Sequence, residues 1–353
     1  MKRICRSGIR TLRYHKMLKD IRVSCAPHIS QPLSTRSVMI DVIIGLVPAM
    51  AAAGYYFRIH AAILIATCVI TCVATEGLCN LIRKKPNSLD DFSAVVTGIV
   101  LALSLPPKLP VWTAVVGGVF SIAIGKMVFG GLGANIFNPA MIGRAFLTAS
   151  FGVMMTSWTV PATMDPAMPA IAQENALNAR TQATPLAWSK LAIKNKLGAD
   201  IYSEQQFKAA VTGEVGGCLG ETSVIAILIG GLYLLVRRTI DLHIPAAVLA
   251  AAFVFGGIAY LIDSYVYVQP FFHLSTGGLL LCAFFIATDP VTAPLTRRGM
   301  WLFGIGVGTV TMLIRIVGEY PEGVMYSVLL MNAVTPLIDR LFKRIPAGGK
   351  PSV

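Results

Sequence analysis

VMIDVIIGLVPAMAAAGYYF at residues 38–57 and AAILIATCVITCVATEGLCNLI at residues 61–82 decide the fold. Each run carries a single charged residue, Asp41 in the first and Glu76 in the second, and only Arg58, Ile59 and His60 separate them. An α-helix needs about 20 apolar residues to cross a hydrocarbon core about 30 Å thick. Both runs therefore read as membrane spans. Working outward from this pair, further apolar runs stand at 92–105, 111–128, 135–155, 222–236, 243–262, 272–288, 300–317 and 323–341. The expected fold is an all-α polytopic membrane protein of about ten transmembrane helices.

Composition agrees, with 55% hydrophobic and only 13% charged residues over 353 positions. A soluble domain carries about 25% charged residues. The net charge of +13 invites a nucleic-acid reading, but nine of the 30 Lys and Arg lie between Lys2 and Arg36, with only Tyr14 as an aromatic neighbour. Most of the others flank the apolar runs. Basic residues beside spans are an orientation signal and an attraction to anionic membrane lipid; no nucleic acid is expected as a partner. A secretory signal peptide is not expected either, because the first apolar run begins near Val38 after a long basic lead.

With the N-terminus inside, 21 Lys and Arg fall in cytoplasmic segments and seven outside, while Arg144 and Arg315 lie within spans. This places both termini in the cytoplasm, with one long loop outside. The expected organisation is a basic cytoplasmic segment 1–37, a first five-helix part 38–155, an outer loop 156–221, a second five-helix part 222–341 and a cytoplasmic tail 342–353. Trp158, Trp188, Tyr202 and Phe207 make the loop too apolar for disorder. Seven cysteines include no C-x-x-C and no zinc spacing; Cys68 and Cys72 read as packing residues.

Two runs are too short to cross. Ser93–Leu105 stops at Pro106-Pro107, and Gly277–Thr288 stops before Asp289-Pro290. About 13 residues cover only ~20 Å. Each begins near a Thr-Gly pair (Thr97-Gly98, Thr276-Gly277), and each is followed by a Trp-bearing and then an Asn-bearing run. The pattern suggests two inverted five-helix repeats with two broken helices. Such helices place a binding site at the repeat interface.

Three motifs carry chemistry. In Asn178-Ala-Arg-Thr181-Gln182-Ala183-Thr184-Pro185-Leu-Ala-Trp188, the two threonines stand at an exposed turn; Thr184 is either a modification acceptor or the cap of a helix starting at Pro185. In Gly130-Gly-Leu-Gly133-Ala-Asn135-Ile-Phe-Asn138-Pro139-Ala140, Asn135 and Asn138 are one helical turn apart. Their amides suit either helix–helix hydrogen bonds or a planar heterocycle with imide edges, such as a flavin. The glycines lack the G-K-[ST] ending of a phosphate loop. In Ala287-Thr288-Asp289-Pro290-Val291-Thr292, Asp289 and its hydroxyl neighbours suit a cation, a cofactor rim or a cap for the broken helix. Arg144 and Arg315 are functional candidates because an unpaired charge at membrane depth costs several kcal/mol.

These motifs, with Ile314-Arg315-Ile-Val-Gly-Glu-Tyr-Pro-Glu322-Gly-Val-Met325, Asn332 and Pro336-Leu-Ile-Asp339, make residues 38–342 resemble the RnfD/NqrB family, flavin-bearing membrane subunits of ion-translocating redox pumps. The compact length resembles the D subunit of the Rnf complex more than the B subunit of the quinone reductase. The resemblance implies FMN attached through its phosphate to Thr184, within a motif D-x-x-[ST]-G-A-T that Thr181 and Ala183 match. Asn178 and Gln182 stand where that motif has an acidic residue and a glycine. It also implies a non-covalent riboflavin beside Asn135 and Asn138, a flavin transferase during maturation, and the other subunits of a membrane redox complex as partners. The implied function is electron relay between the two flavins, coupled to Na⁺ or H⁺ movement between ferredoxin and NAD. The competing expectations are a quinone reductase subunit and a urea-transporter-like small-solute channel. No nicotinamide site and no metal site is expected in the chain.

Overall fold

A helix of 48 residues would be about 72 Å long, more than twice the hydrocarbon core. The first helix, α1 (Thr35–Ile82), resolves this by breaking at Arg58, whose φ of 52° and ψ of −132° leave helical geometry. The break falls between the two apolar runs, so α1 consists of two arms. The computed structural model describes residues 34–84, 88–158, 184–195, 211, 216–221, 223–318, 320 and 322–343. Most of the basic segment 1–37 and of the loop 156–221 lies outside these residues.

Every regular element among the described residues is helical. After α1 come α2 (Ser93–Leu103), α3 (Val111–Ile122, continued by a π-helical turn Ala123–Met127), α4 (Pro139–Ser150) and α5 (Pro185–Asn195). Then follow α6 (Val224–Val236), α7 (His243–Ile262), α8 (Pro270–Ser275), α9 (Leu279–Leu281, continued by a π-helical turn Cys282–Ile286), α10 (Arg297–Ile316) and α11 (Val324–Leu341). Four of these, α1, α7, α10 and α11, are long and apolar enough to cross a membrane.

The side chains are arranged as in a lipid-facing protein. On α6, Ile225, Leu228, Ile229, Leu232 and Val236 face outward while Ala226, Gly230 and Gly231 face inward. Water would drive the large aliphatic residues inside. Lipid does not, so close packing of small residues decides which face turns in. Gly230 shows how tight that packing is: any β-carbon there would collide with the carbonyl oxygen of Gly45 on α1. Likewise, a β-carbon on Gly98 of α2 would lie 2.7 Å from Val69 Cα.

The two short elements are held by tertiary contacts. α2 ends at Ser104, whose hydroxyl donates to Leu101 O at 2.6 Å. The second short run is broken further at Thr276-Gly277-Gly278, where Gly277 takes φ +72°, a conformation that disfavours any side chain. Between them lies the end of the loop 156–221. Leu219 N donates to Leu105 O at 3.1 Å, and a β-carbon on Gly220 would lie 2.9 Å from Leu103 Cβ and 3.0 Å from Leu281 Cδ2. Irregular backbone at this depth is tolerated because protein covers it.

Candidate functional site

The chain turns sharply after the π-helical end of α3. Gly130, Gly131 and Gly133 all take positive φ, and the loop they form carries Asn135 and Asn138 into the wall of a cavity. The space in it that a water-sized group can occupy is about 60 Å³, and the cleft around it opens outward. Its walls come from the start of α1 (Val38, Val42), from α2 (Val96, Thr97, Val100), from Thr239 after α6, and from Phe284, Phe285, Thr288 and Asp289 at the end of the second broken segment. The lining is mostly apolar, with hydroxyls, two amides, Lys126 and the Asp289 carboxylate among it.

Asn135 and Asn138 meet at this cavity, but not on one helix face as their spacing suggested. The helix starts only at Pro139, and Asn138 caps it: its side-chain oxygen accepts from Ala140 N at 3.1 Å and Met141 N at 3.4 Å. Its amide nitrogen reaches Ile286 O at 3.4 Å, joining the loop to the second broken segment. Asn135 sits one turn earlier, in the loop. Its nitrogen donates to Phe137 O at 3.2 Å, and its buried Oδ1 has no hydrogen-bond partner. A buried acceptor left without a donor costs about 1–3 kcal/mol, so it marks a place where a donor is expected. Asp289, whose N–H shares the Ile286 carbonyl with Asn138, also lines the cavity: Oδ2 accepts from the Thr292 hydroxyl at 3.1 Å and Oδ1 from Val291 N at 3.4 Å.

Sequence reasoning missed one part of this wall, where Ser93 and Lys126 also line the cavity. Lys126, counted among the cytoplasmic flanking residues, is only 1% exposed. Its ammonium binds both oxygens of Glu76 (2.7 and 2.8 Å) and Ser93 Oγ (2.6 Å). Ser88 donates to Glu76 at 2.6 Å and receives a bond from Asn80 at 2.9 Å. The available signal was Glu76 itself, an acid in an apolar run, which requires a partner at membrane depth.

Thr184 lies elsewhere, at the start of α5. It is buried, and its hydroxyl accepts from Ala187 N at 3.1 Å, the capping arrangement that its position before Pro185 allows. Thr181 and Ala183, with Asn178 and Gln182, lie outside the described residues. α5 rests on the glycine end of the second broken segment, with Leu186 against Gly277. The cavity lies at the other end of that segment, about 14 Å along a helix of that length.

The intramembrane arginines are both partnered. Arg315 donates to His273 O at 2.7 Å and Thr276 O at 3.1 Å and pairs with Glu322 at 3.3 Å, while Glu322 also accepts from Gly278 N. Arg144 donates to Cys218 Sγ at 3.4 Å. Burial, with the nearby Glu221 charge, pushes the Cys218 thiol well above the usual range. Among the described residues no cluster of His, Cys, Asp and Glu is arranged to hold a metal ion.

Helices long enough to cross a membrane, outward aliphatic faces and a cavity between the helices mark a transmembrane protein. More particularly, the chain belongs to the NQR2, RnfD, RnfE family, which matches residues 22–348. It is 44% identical over 325 residues to the D subunit of the Na⁺-translocating ferredoxin:NAD⁺ oxidoreductase complex of Acetobacterium woodii, covering 92% of this chain and 94% of that one. It is 40% identical over 332 residues to the D subunit of the proton-translocating ferredoxin:NAD⁺ oxidoreductase complex of Clostridium ljungdahlii, covering 92% and 96%. It is 37% identical over 342 residues to the D subunit of the ion-translocating oxidoreductase complex of Yersinia enterocolitica, covering 90% and 96%.

Proposed function

We propose that the chain is the flavin-bearing membrane subunit of an Rnf-type ion-translocating ferredoxin:NAD⁺ oxidoreductase complex. In this reading it relays electrons between FMN carried on Thr184 and a second flavin, riboflavin, in the cavity. The observation that carries it is the unpartnered Asn135 Oδ1 in the wall of a mostly apolar cavity whose lining includes several threonines. An imide N–H of a flat heterocycle is the donor such an acceptor lacks. Asn135 and Asn138 would hold that polar edge, the hydroxyls of Thr97, Thr239 and Thr288 suit a polyhydroxylated side chain, and Val96, Val100, Phe284 and Phe285 exclude water. Bound flavins would supply the electron transfer, and the chain would supply orientation and a dry, shaped site.

Thr184 fits its role for a separate reason. A phosphoester on a helix-capping hydroxyl places negative charge at the positive end of the helix dipole. The names of the relatives support a ferredoxin:NAD⁺ complex over a quinone reductase or a solute channel, and they include both Na⁺- and proton-translocating complexes. The finer architecture belongs to the same proposal. It comprises ten spans in two inverted five-helix repeats, the five segments with the boundaries given above, both termini in the cytoplasm, residues 156–221 in the periplasm, and the chain in the inner membrane. The other subunits of the complex, a flavin transferase and membrane lipid are the partners.

The test uses the full chain co-produced with a flavin transferase. Its band on a denaturing gel is expected to fluoresce under ultraviolet light, and Thr184→Ala is expected to abolish that fluorescence. A fluorescent Thr184→Ala band would end the covalent assignment.

A further inference from the structure

α5 has 11 residues, and a helix this short is marginal in isolation. What holds it is on one face. Leu186 and Lys190 are four residues apart and so lie one above the other. Leu186 is 6% exposed and sits over Gly277, where a β-carbon would lie 2.5 Å from Leu186 Cδ1 and 2.6 Å from an Arg315 terminal nitrogen. The seat exists only because residue 277 has no side chain. Lys190 Nζ donates to Tyr320 O at 2.6 Å and to Ile314 O at 3.2 Å. Ile314 is in the last turn of α10, where Val317 N and Gly318 N both turn to Leu313 O. The Ile314 carbonyl is thus one of the orphan acceptors at a helix C-terminus, where a cation is favoured.

We infer that Lys190 and the Leu186–Gly277 contact form a latch that positions α5, and with it Thr184, against the Gly277 end of the second broken segment. The cargo of the latch, FMN on Thr184, rests on the function proposed above. The latch has two working positions. Docked, Thr184 is buried and its hydroxyl is engaged by Ala187 N, so no transferase reaches it. Loading therefore requires the Thr184 end of α5 to lift, and Lys190, six residues along, keeps the rest of the helix at the Gly277 end while the loaded end stays out of its seat. Lys190 is a positioning residue: it touches two backbone carbonyls of the membrane part and neither flavin site.

The experiment compares the full chain with its Lys190→Met, Lys190→Arg and Leu186→Ala variants, each co-produced with a flavin transferase and purified in detergent. Three properties are read: flavin fluorescence of the denatured band, amide hydrogen exchange over residues 184–195, and the anisotropy decay of the attached flavin. Lys190→Met is expected to load as completely as the parent, because a loosened latch opens more readily. Its amides in 184–195 should exchange about tenfold faster, the loss expected for charge-assisted hydrogen bonds. Its flavin should gain a nanosecond depolarisation that the parent lacks. Lys190→Arg should restore both, and Leu186→Ala should loosen the helix without changing charge. Unchanged exchange and unchanged anisotropy in both Lys190→Met and Leu186→Ala overturn the latch. A parent chain without flavin fluorescence overturns the function proposed above, and the exchange measurement still decides the latch.

Discussion

Replacing Lys126 by Met should leave Glu76 as an uncompensated carboxylate in a site where it is 0% exposed. The lysine supplies two of the three hydrogen bonds that Glu76 receives, and only Ser88 would remain. Removing one partner of a buried pair costs about 3–5 kcal/mol, whereas replacing both by neutral groups of similar shape is close to neutral. For a chain of this size that cost lowers the unfolding midpoint by on the order of 10 °C. The assay follows from the structure: Cys68 and Cys72 are fully buried, so a thiol-reactive fluorescent dye reports unfolding in detergent. Lys126→Met should melt earlier, and Lys126→Met combined with Glu76→Gln should recover most of the loss. A single variant as stable as the parent, or a double variant no better than the single, would refute the claim that this pair is held by mutual neutralisation.

Other outcomes follow from single atoms. Asn135→Ala removes an acceptor that has no donor, so the flavin-free chain should lose less than about 1 kcal/mol of stability, while riboflavin recovered by acid extraction should fall severalfold. Equal flavin recovery would remove Asn135 from the site. Cys218 should resist alkylation between pH 7 and 9 in the folded chain, because its thiol titrates well above that window and holds almost no thiolate there. Mass spectrometry after maleimide treatment checks this, and rapid native labelling would contradict the burial of residues 216–221.

The fold was legible wherever it depends on local composition. The boundary between residues 57 and 61 read from the apolar runs coincides with the break at Arg58, since a helix cannot run 48 residues through a 30 Å slab. The run at 243–262 coincides with α7 residue for residue, because its one proline, Pro245, falls in the first turn where a helix tolerates it and Asp263 closes its far end. Asn135 and Asn138 were legible as residues but not as an arrangement. Three positive-φ glycines bend the chain before Pro139, so spacing in sequence did not translate into one helix face. Lys126 was misplaced for a related reason: charge counting treats a lysine at the end of a run as solvated, whereas its partner Glu76 lies 50 residues away in sequence.

By itself the sequence determined that the chain is a membrane protein, the extent of its uninterrupted runs such as 243–262, and which family it resembles. These follow from hydropathy, helix breakers and motif spelling, all local properties. Only the tertiary structure decided which polar groups find each other. It paired Lys126 with Glu76, tied Arg144 to Cys218, and left Asn135 with an empty acceptor in a cavity wall. It also set Thr184 on a helix resting against Gly277. The physical reason is that, in a medium without water, each buried polar group must be satisfied by whichever element packs beside it, and that neighbour is chosen by helix packing rather than by the adjoining residues.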